Sequence, residues 1–282
     1  SSKQIYEVAA TWLALGLDPT VSVLYQQSQI PELFELNWIL NCFTSKGLMN
    51  RAHAYKAQVD KNQEDKKDTD YSVNMGLYSY PILMAADILF IETDLVPVGA
   101  DQVQHLEITR DIASSLNHQY KKNLIKLPQA LVQKNARIIP GLDGRKMSKS
   151  YENHIPIFLP PKKLRKMIMK ITTDSLPPSA PKDPESSHLF SLYTHFSSQK
   201  EQEEMKERYK KGISWGEAKE ELFKKIEKDL SLPRERYEEL ISHPKKIKKI
   251  LDDSTEKVRP LAKKVLDKLK EEMGVSLEKT IK

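Results

Sequence analysis

The chain has 282 residues, 30% of them charged and 39% apolar, which is ordinary for a soluble globular protein and enough for a large core and two domains. Its formal charge of +6 admits a polyanionic partner, or merely a basic surface. A single cysteine, Cys42, excludes an internal disulfide and a Cys-based zinc or iron–sulfur site, and no apolar run approaches the roughly 20 residues that cross a bilayer.

The N-terminus, Ser1-Ser2-Lys3-Gln4, has no signal-peptide architecture, so the expectation is a cytoplasmic protein with no membrane partner and Cys42 as a small buried apolar residue. Residues 3–16 predict an amphipathic helix, with Ile5, Val8, Ala9, Trp12 and Leu13 on one stripe and Gly16 as its stop. Val21 to Gln26 has the content of a short buried strand, and Pro31 to Phe43 is again helical. Val59 to Asp70 is dense in charge and predicts a solvated, mobile loop. Met75 to Phe90 resumes helical periodicity. Leu95 to Gly99 then predicts a buried strand, and Asp101 to Leu116 the helix that follows.

Ala136 to Ile139 is the next strand candidate, leading into Gly144-Arg145-Lys146-Met147-Ser148-Lys149-Ser150, and Leu164 to Ile171 predicts a helix. Alternating strands and helices predict an α/β, doubly wound parallel (Rossmann-like) sheet domain over residues 1–175. Leu176 to Pro184 carries four prolines, which puts a linker at 176–187. From residue 188 to 282 the pattern is an all-α helical bundle, with helices at 189–196, 200–209, 215–230, 234–242 and 255–273 and Gly274 as the final cap. His243 to Lys249 holds four lysines and no acid, and reads equally as a solvated face or as an RNA contact.

Three constellations carry chemistry. Lys146 and Lys149 follow the turn Asp143-Gly144, where two flexible ammonium groups can meet one anion and Ser148 and Ser150 add hydroxyl donors; the plain alternative is a solvated polar loop. Val96-Pro97-Val98-Gly99-Ala100-Asp101-Gln102 joins a strand end to a helix N-terminus, a place that favours anions, with an N-capping Asp101 as the alternative. Tyr80, Met84, Asp87 and Ile91 share one helix face, where a lone carboxylate among apolar side chains suits a flat apolar ligand with one donor, such as indole. Pairing of Asp87 with a lysine, and Tyr80 and Met84 as core, is the structural alternative.

Lys-Met-Ser-Lys-Ser at 146–150 resembles the second signature loop of class I aminoacyl-tRNA synthetases. With Leu83 to Leu89, Val96 to His105, Glu107, Arg110-Asp111 and Ala136-Arg137-Ile138 in order, the chain is similar over roughly residues 5–275 to the bacterial-type tryptophanyl-tRNA synthetases. The resemblance implies ATP-dependent attachment of L-tryptophan to tRNA(Trp) through an adenylate, with Mg2+ accompanying ATP, in a homodimer. It implies Met84 and Asp87 on indole, Tyr80, Val96 and Val98 lining that pocket, and Gln102 on the amino acid's backbone groups. Gly99 and Asp101 would meet the ribose, Ile138 and Met147 would sandwich adenine, and Lys146, Ser148 and Lys149 would be the catalytic phosphate-handling residues. The region from 188 onward would bind the anticodon.

The family's earlier His-Ile-Gly-His-like motif has no match in residues 1–30, so the chain is expected to start inside the family pattern. A tyrosyl-tRNA synthetase, and a non-catalytic nucleotide- or RNA-binding fragment of the same fold, are the competing readings.

Overall fold

A computed structural model describes residues 2–132 and 139–276. The chain divides into two compact units, Ser1–Asp18 with Arg137–Ile247, and Pro19–Ala136 with Lys248–Lys282. Among the described residues no helix is long and apolar enough to cross a membrane.

In the second of these units the chain runs through α2 (Pro31–Cys42), α3 (Lys46–Met49), α4 (His53–Glu64) and α5 (Met75–Leu89), then β1 (Leu95–Val98), α6 (Val103–Tyr120) and β2 (Gln129–Val132). β1 and β2 pair in parallel, Leu95 opposite Gln129 and Val98 opposite Val132, and α6 is the crossover between them. The fold is therefore α/β with a parallel sheet, as expected. The core lies between α2, α5 and α6, where Leu33, Leu36, Leu40, Ile82, Ala85, Leu89, Ile112 and Leu116 are buried. Val258, Ala262, Val265, Leu266 and Leu269 of α11 (Pro244–Met273) complete it. Arg259 pairs with Glu32 at 2.8 Å, and Gln29 bonds both Asp252 and Thr255.

Several local expectations change. Val21 to Gln26 has no ladder partner among the described residues: it opens in a turn and a bend and continues without regular structure, with Val21 83% exposed. β1 alternates exposed and half-buried residues rather than being buried. Residues 136–138 of the third strand candidate lie outside the described residues. The charged stretch 59–70 is half helix, because α4 continues to Glu64. Buried Asn62 then donates to the carbonyls of Thr69 and Tyr71 at 2.9 and 2.8 Å, and Tyr55 Oη donates to Asp70 at 2.8 Å, which ties the turn down. Cys42 is exposed: it ends α2 one turn after Trp38, on the face away from Leu36 and Leu40.

The other unit holds α1 (Ser2–Ala14), α7 (Pro161–Ile168), α8 (His188–Thr194), α9 (Gln199–Lys211) and α10 (Trp215–Ser242). α1 packs along α10, yet it does so through Ala9, Ala10 and Ala14. Of the expected stripe Ala9 is buried and Leu13 half-buried, while Ile5, Val8 and Trp12 are exposed.

Leu164, Ile168 and Ile171 share one core with Leu189, Phe190, Leu192, Tyr193, Leu222 and Ile226. The division expected at 176–187 therefore does not coincide with a boundary between compact units. Residues 176–184 lack regular structure but are fastened: buried Lys182 donates to the carbonyls of Pro177, Pro178 and Ala180. α10 runs through Pro233, where two helices were expected, and α11 starts at Pro244 rather than Thr255.

Candidate active site

The candidate residues fall into two sets, one in each unit. α5 is capped by Asn74, whose Oδ1 accepts from Leu77 N at 2.8 Å. Burial of Ile82, Ala85, Ala86 and Leu89 in the core leaves Tyr80, Met84 and Asp87 half-buried on another face, as the helical spacing requires.

Among the described residues no lysine meets Asp87. Both of its carboxylate oxygens accept from Gln27 Nε2, at 2.8 and 2.9 Å. Burial pushes the Asp87 carboxyl above its ordinary range, and the Gln27 bond opposes this. Burial, with the Asp87 charge nearby, pushes Tyr25 up to about 12. Neither Gln27 nor Tyr25 was anticipated; the available signal was Gln27 directly after a predicted strand, at the end where open α/β sheets bind ligands. A carboxylate has about four lone-pair sites, so an added N–H can share it with Gln27.

Tyr80 and His105 join α5 to α6. The hydroxyl lies 3.3 Å from His105 Nε2 and the rings meet edge to face at 5.5 Å. His105 is buried, which lowers its pKa, as does His53, while Asp101 acts in the other direction. Val96 and Val98 are the half-buried residues of β1.

A Cβ on Gly99 would stand 2.7 Å from Asp101 Oδ1, so a side chain there would displace the carboxylate. Asp101 is exposed and accepts from Gln102 Nε2 at 3.1 Å; Gln102 holds the N-cap position of α6 without a side-chain capping bond. Arg110 donates to the Pro128 carbonyl at 2.5 Å, holding the approach to β2.

The lysine loop in the other unit is built around Asn153, which is 3% exposed. Its Nδ2 donates to Asp143 Oδ1 at 2.7 Å and to the Lys146 carbonyl at 3.1 Å, and its Oδ1 accepts from Ser148 N at 2.8 Å. A Cβ on Gly141 would stand 2.3 Å from Asn153 Nδ2, which explains that glycine. Gly144 turns the loop at φ 81°. Asp143 also binds Arg145, and these bonds, Asn153 first, hold its carboxyl down at about 2. Arg145 covers the Tyr151 ring at 4.8 Å.

Ser148 caps a single 3-10 turn, Lys149–Tyr151, and its hydroxyl lies 2.7 Å from that of Ser150. Met147 is half-buried against the core of its unit, and its N–H donates to Ile139 O at 2.9 Å. Lys146 and Lys149 are both exposed, and neither has an ion-pair partner among the described residues. The loop is thus a fixed frame presenting two free ammonium groups and a hydroxyl pair, a set suited to anionic oxygens. Ile138, assigned to adenine by resemblance, lies outside the described residues.

The family described as tRNA synthetases class I (W and Y) matches residues 1–231. The tryptophan--tRNA ligase of Pseudomonas aeruginosa is 49% identical over 279 residues, covering 98% of this chain and 62% of that protein. The tryptophan--tRNA ligase of Neisseria meningitidis is 50% identical over 269 residues, covering 95% of this chain and 80% of that protein. This chain therefore spans a part of its curated relatives, less than two thirds of the first. Among solved structures, the tryptophanyl-tRNA synthetase of Campylobacter jejuni, complexed with ADP and tryptophan, superposes with a TM-score of 0.85 at 42% identity, covering 95% of this chain and 82% of that one. With the family matched across most of its length and relatives half identical, the chain belongs to the class I tRNA synthetases of the tryptophan and tyrosine (W and Y) family.

Proposed function

We propose that the protein joins L-tryptophan to tRNA(Trp) in two steps at the expense of ATP. The tryptophan carboxylate attacks the α-phosphate of Mg-ATP, pyrophosphate leaves, and the adenylate esterifies the tRNA 3′ end. No side chain need become covalently bonded, since such transfer rests on positioning and on charges placed where charge develops.

The observation that carries this reading is the loop framed by Asn153, with Lys146 and Lys149 unpaired among the described residues. Lys146, Ser148 and Lys149 hold the phosphates as pyrophosphate departs. Gly99 and Asp101 take the ribose, and Ile138 and Met147 flank adenine. Asp87 accepts the indole N–H beside Met84, while Tyr80, Val96 and Val98 line the pocket and Gln102 holds the amino acid's backbone groups. Mg2+ enters with the nucleotide, because the lysine loop supplies donors rather than metal ligands.

Tryptophan is favoured over tyrosine by the half-buried Asp87 carboxylate on the α5 face that also carries Tyr80 and Met84, and by relatives that are tryptophan--tRNA ligases. A homodimer, an anticodon-binding role for residues 188–282 and a cytoplasmic location belong to the same proposal.

The test is amino-acid-dependent ATP–pyrophosphate exchange on the full-length protein. Tryptophan should support exchange and tyrosine should not, and Lys149→Ala should slow it at least tenfold, about 1.4 kcal/mol of barrier. An unchanged Lys149→Ala rate would remove the loop from the chemistry. Binding of tRNA without exchange in the wild type would favour the non-catalytic reading.

A further inference from the structure

Along α9, α10 and the start of α11, lysines repeatedly stand opposite carboxylates. Lys210 meets Glu207, Lys224 meets Glu221, Lys225 meets Glu201, and in the run 245–249 Lys246 meets Glu239, Lys248 meets Asp252 and Lys249 meets Asp253. α7 differs. Lys162, Lys163, Lys166 and, just past its end, Lys170 are exposed, and their ammonium groups have no hydrogen-bond or ion-pair partner among the described residues. The carboxylate beside them, Glu220, is taken by Arg165 at 2.9 Å.

Lys162 and Lys166, four apart, share one face of α7, and Lys170 follows in the turn just past its end. Like charges at that spacing destabilise a helix by a few tenths of a kcal/mol per pair, so the strip opposes folding rather than helping it. Leu164 and Ile168 on the opposite face are 1% and 0% exposed, which leaves no apolar side for a membrane. Lys219 of α10 donates to the Met169 carbonyl at 3.2 Å and adds a further cation at the C-terminal end. Just beyond, both the backbone N–H and the hydroxyl of Thr172 bond the Leu142 carbonyl, at 2.9 and 3.3 Å, joining this segment to the base of the lysine loop in the same unit.

From these observations we infer that the exposed face of α7 is a docking surface for the phosphate backbone of RNA, with Lys162, Lys163, Lys166 and Lys170 as the phosphate contacts. The preceding proposal enters only in the choice of tRNA as one probe. This surface lies outside residues 188–282, so it is distinct from any anticodon contact there. Such contacts carry affinity without sequence information, and each one adds about one unit to the slope of log affinity against log salt.

The experiment measures binding of tRNA, and of a mixed-sequence RNA, to the full-length protein across a potassium chloride series. The variants are the triple K162Q/K166Q/K170Q and, as control, K61Q/K66Q/K67Q, exposed lysines of α4 and its turn to which no role is assigned; pyrophosphate exchange and binding to phosphatidylserine vesicles are measured beside them. The α7 triple variant should bind both RNAs at least tenfold more weakly at about 0.1 M salt, with a slope reduced by about three, and keep its tRNA-free exchange rate. The control should bind like the wild type.

An α7 variant with wild-type affinity and slope overturns the inference, as does α7-dependent binding to vesicles but not to RNA. If the wild type lacks exchange while RNA binding still requires the α7 lysines, the catalytic proposal falls and this one stands.

Discussion

Asn153 was not singled out in the sequence, yet it makes three of the bonds that shape the lysine loop. Asn153→Ala leaves the Ser148 N–H and one Asp143 bond unmet in a buried place, so a loss of about 1–3 kcal/mol in urea unfolding is expected. Because these side-chain bonds of Asn153 all run to the loop, kcat for exchange should fall while the tryptophan KM holds. Asn153→Asp should be worse than an isosteric exchange suggests, since it removes the donor that does most to hold the Asp143 carboxyl down and sets a second carboxylate against it.

At Asp87 the sign is set by burial, which raises its pKa above the ordinary 3.8. The ionised acceptor is then complete well above that value and is lost as pH falls through the raised pKa. Tryptophan affinity should therefore weaken on acidification earlier than a free aspartate would dictate, and Asp87→Asn should remove that dependence. Calorimetric titration with tryptophan between about pH 4 and 8 measures both.

Pro233 illustrates how an element can contradict a local rule. Proline removes one helical hydrogen bond and disfavours the preceding turn, so two helices were expected where α10 is continuous. Buried Arg234 explains the continuity: it donates to both Glu227 oxygens at 2.8 and 2.9 Å, bracing the helix across the proline one side chain away. Pro233→Ala should restore the missing bond and raise stability by up to about 3 kcal/mol in denaturant unfolding; no gain would mean the helix is already bent to suit proline.

α4 fails the other way. Its charge density suggested a mobile loop, but Asn62 and Tyr55 find partners seven to fifteen residues on, which composition does not reveal. In α1 the spacing of Ile5, Val8, Ala9, Trp12 and Leu13 correctly implied a helix, but of these only Ala9 is fully buried, together with Ala10 and Ala14, while the large side chains Ile5, Val8 and Trp12 stay exposed.

The division of the whole molecule into interleaved units assigns different tasks to different substitutions. The groups assigned to tryptophan belong to one unit and the lysine loop to the other. Asp87→Ala should raise the tryptophan Kd and admit other amino acids, because a half-buried acceptor that rewards only a ligand bringing its own N–H is the source of discrimination. Lys149→Ala should leave that Kd unchanged and lower kcat. Equilibrium binding beside steady-state exchange separates the two, and a Kd that moves with Lys149 would contradict the division.

The words Lys-Met-Ser-Lys-Ser and Val-Pro-Val-Gly-Ala-Asp-Gln, β1 and the helical periods could be read along the chain, because each is a short-range pattern in which near neighbours already carry the information; β2 at Gln129–Val132 was not among the expected strands. Folding alone made Gln27 the partner of Asp87, set Asn153 beneath the lysines, and drew the last helix back to α2, α5 and α6. Those choices depend on which apolar face finds a complementary one, and on which buried polar group finds a mate sixty or more positions away. No local spacing encodes either.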